Sequence, residues 1–164
     1  MTKLDEAAIE RLRENSHIRL DREGRFWHEG GLVEHPRVAE AFHRGLGRAP
    51  DGRATLRVGP TWCYIEVEDT LYQARRALCE STPAEELSSC LLRLDDGTEE
   101  LLPLISGQVA VGPDGVLSAR VKDGREWARL IPEAHAALGR FVQTDGSPWR
   151  LRTVSGLLAL TRRG

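Results

Sequence analysis

Hydrophobic and polar positions along this chain change period several times, and each change marks an element. From Pro36, the apolar residues Val38, Ala41, Phe42 and Leu46 recur at helical spacing; from Pro132, Ala134, Ala137, Leu138, Phe141 and Val142 do the same. Each set is the stripe of a helix that packs one face on a core, and proline suits its first turn, where no intrahelical partner for the N–H is lost. The first of these helices is predicted at about 36–46, ending in Gly45-Leu46-Gly47, where glycine is expected to supply the left-handed conformation of a C-terminal cap. A charged amphipathic helix is predicted over residues 3–14, with Leu4, Ala8 and Leu12 on one side.

Between the helices the period drops to two. Strands are predicted at about 17–21 and 25–28, joined by a tight turn at Arg22-Glu23-Gly24, and at about 53–58 and 62–68. In the last of these Cys63, Ile65 and Val67 alternate with Tyr64, Glu66 and Glu68, giving one buried and one wet face. Shorter strands follow near 71–78, 88–94, 99–104 and 107–111, with turn signals at Asp95-Asp96-Gly97 and Gly112-Pro113-Asp114-Gly115. Ser81-Thr82-Pro83 is an alternative start for a short helix through Leu87.

The order of these elements repeats. Gly24-Arg25-Phe26-Trp27 matches Gly124-Arg125-Glu126-Trp127, Pro36 matches Pro132, Asp51-Gly52 matches Asp145-Gly146, and Leu56-Arg57-Val58 matches Leu151-Arg152-Thr153. Four anchors in one order favour duplication of a ββαββ unit over coincidence. The predicted fold is α+β: two repeated ββαββ-like motifs with extra strands between them, in mostly antiparallel sheets. The expected divisions are an N-terminal helix at 1–16, a first repeat at 17–80, connecting strands at 81–115 and a second repeat at 116–164. The repeats are expected to bury their apolar sides against each other.

The segment from Ile18 through Tyr72 resembles a known family. It carries Arg19-Leu20-Asp21-Arg22-Glu23-Gly24-Arg25-Phe26-Trp27 and, after the helix and a strand, Ile65-Glu66-Val67-Glu68-Asp69-Thr70-Leu71-Tyr72. This arrangement is similar to the bacterial domain of unknown function DUF1285. The resemblance implies an α+β fold built from repeated motifs and no established reaction, with ligand binding or signal transduction as the suggested role. The chain departs from the family's pattern at Pro60-Thr61-Trp62-Cys63 and at Leu71-Tyr72.

Composition narrows the chemistry. A 164-residue chain that is 40% hydrophobic and 29% charged has an ordinary globular make-up, and its net charge of −2 gives no footprint for general nucleic-acid binding. No apolar run is long enough to span a membrane, and Met1-Thr2-Lys3-Leu4-Asp5-Glu6 lacks the apolar core of a secretory signal. Cys63, Cys79 and Cys90 form no Cys-x-x-Cys pair, which fits reduced thiols in a cytoplasmic protein. Of 23 basic residues only Lys3 and Lys122 are lysine. Base composition of the genome explains that skew, or else it reflects guanidinium recognition of anions.

No catalytic signature is present. Gly45-Leu46-Gly47-Arg48-Ala49-Pro50 lacks the last glycine of a dinucleotide fingerprint and sits at a helix end, where phosphate needs a helix start. His35 and His43 fall two turns apart with no third ligand, and Gly30-Gly31 between His28-Glu29 and Glu34-His35 excludes a metalloprotease helix. Cys63 with His28 as nucleophile and base conflicts with the buried phase of Cys63. The expected metal and cofactor sets are empty.

Two constellations remain. Glu66, Glu68 and Asp69 lie beside Arg57 and, through the repeat, Arg152; these arginines would line a cleft between the copies and hold an anionic ligand by charge-assisted bonds. Solvated ion pairing across adjacent strands is the default for such a face. Trp62, Tyr64 and Trp149 are the aromatic candidates for a recognition wall, whereas Trp27 and Trp127 are expected to pack as repeat equivalents. The expected function is a non-enzymatic cytoplasmic binding or signalling module, with a small anionic ligand or a peptide held between the repeats. The alternatives are a hydrolase using Glu66 or Asp69 as base, and a structural protein that docks a partner through its N-terminal helix or a sheet edge.

Overall fold

A computed structural model describes residues 6–164, and Leu4 of the predicted N-terminal stripe lies outside them. The chain divides into two compact units, one ending at Leu71 and the other beginning at Tyr72. Both mix helices with predominantly antiparallel sheets, so the α+β class holds. No helix among the described residues is long and apolar enough to cross a membrane.

The first unit runs α1 (Glu6–Glu14), β1 (Ile18–Leu20), β2 (Phe26–His28), β3 (Gly31–Leu32), α2 (Pro36–Arg44), β4 (Leu46–Arg48), β5 (Ala54–Val58), β6 (Thr61–Tyr64) and β7 (Glu66–Val67). Strands β3-β2-β1-β7 form one sheet and β4-β5-β6 another. Leu20, Phe26, Leu56 and Leu71 are buried between these elements.

Helix α2 turns a different side inward than the stripe predicts. Val38 is 39% exposed, and the inward residues are Ala39, Phe42 and His43. Phe26 is the cause: its ring meets Phe42 edge-on at 5.2 Å and the His43 imidazole at 4.8 Å. The imidazole thereby fills an apolar position that hydropathy counts as polar. The helix start is capped by His35, whose Nδ1 accepts the Arg37 N–H at 3.3 Å. Its end corrects another expectation, because Gly45 has φ −91° and is not left-handed. Glycine is required there because a Cβ would sit 1.9 Å from the Arg57 carbonyl oxygen. Helix α1 also differs, with Leu12 64% exposed and Arg13 stacked 4.1 Å above the Trp62 ring.

The second unit runs β8 (Tyr72–Ser81), β9 (Leu87–Leu94), β10 (Glu99–Leu101), β11 (Val109–Val111), β12 (Leu117–Val121), β13 (Glu126–Leu130), α3 (Pro132–Gly139), β14 (Val142–Gln143), β15 (Arg150–Thr153), β16 (Gly156–Ala159) and β17 (Thr161–Arg162). Residues 82–86 form a hairpin turn rather than a short helix. Ala134, Leu138 and Phe141 are buried as the periodicity predicts, and α3 packs on β8 and β13.

From β11 onward this unit runs through the same sequence of elements as the first does from β1. The order β3-β2-β1-β7 has its counterpart in β13-β12-β11-β17, and the meander β4-β5-β6 in β14-β15-β16. Backbone bonds agree: Arg57 N–H donates to Gly45 and Arg152 N–H to Phe141, both at 2.8 Å. The difference lies in β8 and β9, which pair parallel to β13 and β15 and join both patterns into one ten-stranded sheet.

These pairings correct one anchor. The turn at 21–24 closes with Asp21 N–H to Arg25 and Gly24 N–H to Asp21, and the same two bonds recur as Gly112 to Val116 and Gly115 to Gly112. Gly24 therefore corresponds to Gly115, and Trp27 to Ser118. Gly124 and Trp127 belong to the next hairpin, between β12 and β13.

Candidate functional site

An open cleft of about 600 Å³ lies within the first unit, between the end of α1, the first sheet and the β6–β7 junction. Trp27 and Tyr64 supply its aromatic surface; Glu14, Glu29 and Glu66 its carboxylates; His17 and Arg19 its remaining charged and imidazole groups.

Local bonding fixes these groups. Asp21, only 3% exposed, sits in the β1–β2 turn and accepts the Trp27 indole N–H at 2.8 Å and the Arg25 backbone and Nε–H groups at 2.8 Å each. Burial pushes the Asp21 carboxyl pKa up, but the bonds from Trp27 and Arg25 and the Arg25 charge outweigh it and hold it below the usual range. Trp27 is thus aimed from a turn that stays charged. Across the cleft, the Ser16 hydroxyl donates to the Tyr64 carbonyl at 2.5 Å, and Arg53 stacks 3.6 Å above the Tyr64 ring. His17 and Glu29 hold left-handed backbones (φ 56° and 50°), and the Glu29 N–H donates to the His17 carbonyl at 3.0 Å. Two non-glycine residues in that region mark a rim held by its surroundings.

The charge balance is uneven. Arg19 stacks on Trp27 at 5.2 Å and is hydrogen-bonded to Glu68, while Glu14 pairs with Arg53 at 3.4 Å. Among the described residues, the side chains of Glu29 and Glu66 have no hydrogen-bond or ion-pair partner.

The predicted site residues separate into groups. Tyr64 and Glu66 line the cleft, and Trp62 adjoins it, edge-on to Tyr64 at 5.1 Å. Arg57 pairs with Trp62 across the ladder and is exposed. Glu68 is occupied by Arg19 and by the Arg22 N–H at 3.2 Å, and Asp69 is half-buried and engaged. Arg152 and Trp149 belong to the second unit. There Arg152 Nε–H donates to the Glu85 carbonyl at 2.9 Å, and Trp149 borders a cavity of about 160 Å³ with Val111, Pro113, Pro148 and Leu160. Sequence reasoning missed His17, Arg19 and Glu29, and assigned Trp27 to packing alone. The left-handed turns that place His17 and Glu29 carry no glycine signal.

The nucleophile pair imagined from sequence does not form: Cys63 is on β6 and His28 on β2, in different sheets. Burial pushes the Cys63 thiol pKa up despite its contact with Ser16. His35 Nδ1 is committed to the α2 cap, and His43 is buried against Phe26.

Among the described residues one carboxyl is strongly perturbed, and it lies in the other unit. Asp95, its side chain 3% exposed, is hydrogen-bonded to Arg75. Desolvation outweighs the Arg75 bond and charge and, with Asp96 adding repulsion, raises its pKa from 3.8 to about 6. A carboxyl whose folded pKa exceeds its unfolded value contributes its stabilisation below the unfolded pKa and loses it as pH rises through the folded one. Between pH of about 4 and 6 the native state therefore loses about 3 kcal/mol at this group. Urea unfolding of the wild type and Asp95→Asn across that window is expected to show the wild type falling by this amount relative to the variant. A pH-independent difference would refute the assignment.

No family model and no curated protein matches the chain. Two crystal structures share its fold. A DUF1285 family protein from Silicibacter pomeroyi DSS-3 superposes with a TM-score of 0.66 at 16% identity, covering 88% of this chain and 79% of that one. A DUF1285 family protein from Shewanella baltica OS155 gives 0.53, also at 16% identity, covering 77% and 92%.

Proposed function

We propose that the protein is a DUF1285-type, cytoplasmic, non-enzymatic binding module, whose first unit holds a small amine-bearing ligand in the cleft between Trp27 and Tyr64. The observation that carries this is the cleft lining: Glu29 and Glu66, which have no partner among the described residues, stand beside Trp27 and Tyr64, whose rings already attract the Arg19, Arg25 and Arg53 guanidinium groups. Aromatic faces attract cations through their quadrupole, and carboxylates complete the recognition of an ammonium group. The arginine-rich composition favours an anion instead, but Arg19, the cleft's one arginine, is met by Glu68, and Arg57 does not line the cleft. The fold shared with two DUF1285 proteins supports the family assignment. The hydrolase alternative rests on Glu66 or Asp69 as base; Glu66 lines the cleft, whereas Asp69 is engaged elsewhere.

The test is a thermal-shift screen of the full chain against polyamines, methylated amines, phosphates and carboxylates. At 100 times Kd, a ligand of the native state contributes about 2.7 kcal/mol, a Tm rise of several degrees. Amines are expected to raise Tm, and the rise is expected to vanish in the Glu29→Gln/Glu66→Gln variant. Silence from every amine, or a shift that survives both substitutions, overturns the proposal.

A further inference from the structure

The second unit carries a pair of thiols that the cleft does not use. Cys79 on β8 and Cys90 on β9 are direct partners in the antiparallel ladder. Residues directly opposite in such a ladder have Cα atoms about 4.5 or 5.5 Å apart, and both separations fall in the roughly 4.4–6.8 Å window that a disulfide spans. The two sulfurs are already 3.5 Å apart, so side-chain rotation suffices to bond them.

The surroundings of the two thiols are unequal. Cys90 is fully buried, whereas Cys79 is half-buried on the wall of a groove of about 490 Å³ that also includes Leu91, Leu101, Ala137 and Arg140. An oxidant therefore reaches Cys79 first. As a thiolate, Cys79 accepts a hydrogen bond from the Cys90 thiol and faces the Arg140 guanidinium, and these hold its pKa below the usual thiol range against the opposing effect of burial. The Cys90 pKa is pushed far up by that same bond and by burial, so Cys90 keeps its proton until the second step.

We propose that Cys79 and Cys90 are a peroxide-responsive pair, in which Cys79 attacks a hydroperoxide and Cys90 resolves the product as a disulfide. In the first step the Cys79 thiolate forms an S–O bond to the terminal peroxide oxygen as the O–O bond breaks. The leaving alkoxide or hydroxide takes a proton from water, and Cys79 becomes a sulfenic acid. In the second step Cys90 Sγ attacks Cys79 Sγ. The S–S bond forms, the S–O bond breaks, and hydroxide leaves with the Cys90 proton as water. Two thiols are oxidised by two electrons, and one hydroperoxide is reduced to an alcohol, or to water from hydrogen peroxide, plus water. The product is a covalent staple across the β8–β9 hairpin on the groove wall.

The sequence makes the product easy to identify. Trypsin releases residues 77–93 as one peptide with both cysteines, and further cleavage after Glu85 leaves two halves that only a disulfide joins. The full-length protein is treated with stoichiometric hydrogen peroxide, alkylated and digested. The expected result is a 77–93 peptide lighter by two hydrogens, whose halves stay linked until dithiothreitol is added, with Cys63 still alkylated. In Cys90→Ser the link disappears and a sulfenic-acid trap such as dimedone labels Cys79. Cys79 carried to sulfinic acid without the link, a bridge through Cys63, or untouched thiols at Cys79 and Cys90 overturns the proposal; the wild-type map alone decides among these.

Discussion

Gly45→Ala is expected to lower stability by about 3 kcal/mol or more, at or above the top of the range for overpacked sites. At the negative φ of this residue, alanine would ordinarily stabilise by about 0.4–1 kcal/mol through its stiffer unfolded chain. The native geometry reverses that sign. A Cβ here would lie 1.9 Å from the Arg57 carbonyl oxygen and 3.0 Å from its carbonyl carbon, and these are backbone atoms with no rotamer to give. They sit on β5, whose Arg57 N–H also donates to the Gly45 carbonyl at 2.8 Å, so relief for one contact breaks the other. Gly47→Ala is the control: its Cβ would meet only the Thr55 hydroxyl, at 3.4 Å, and little change is expected. Equal urea midpoints for the two variants would mean that α2 and β5 do not approach as described.

Phe26→Ala is expected to cost roughly 3–5 kcal/mol. The ring is 1% exposed and is the meeting point of two edge-on contacts, to Phe42 and to His43. Its loss leaves a void under α2 and strips the His43 imidazole of its cover. Phe26 also sits next to Trp27 on a strand of only three residues, so disorder here would reach the cleft wall. Far-UV circular dichroism with urea measures the loss directly. A change under about 1 kcal/mol would show that α2 is held by other contacts.

Part of this fold was legible because local rules and tertiary packing agree. Asp51-Gly52 before β5, the strands near 71–78 and 88–94, and the Ala134, Leu138 and Phe141 stripe each match the observed elements. The misses occur where a distant contact overrides a local rule. Gly45 looks like a left-handed cap, yet it is glycine because Arg57 passes close by. His43 looks polar and is buried because Phe26 needs a flat edge there. Trp127 looks like the partner of Trp27 because Gly-Arg-x-Trp occurs twice, and only strand pairing shows the match to be one hairpin late.

The cleft itself was half visible. Tyr64 and Glu66 stand out on a predicted acidic, aromatic strand, but that strand splits into β6 and β7 in different sheets, Trp27 joins the sheet of Glu66 from distant β2, and Glu29 comes from a loop that folds back on His17. Pairing of Cys79 with Cys90 is likewise set by the β8–β9 register, which carries irregularities between Ala74 and Arg76 and between Glu80 and Ser81. No count along the sequence reveals that register.

The four tryptophans make the binding claim directly measurable, since each indole N–H gives one resonance in a ¹⁵N–¹H correlation spectrum. Titrating the labelled full chain with the strongest amine from the screen is expected to move the Trp27 indole resonance and leave those of Trp127 and Trp149 in place. A spectrum in which Trp149 moves, or in which Trp27 stays fixed while the amine binds, would contradict a ligand site in the first unit.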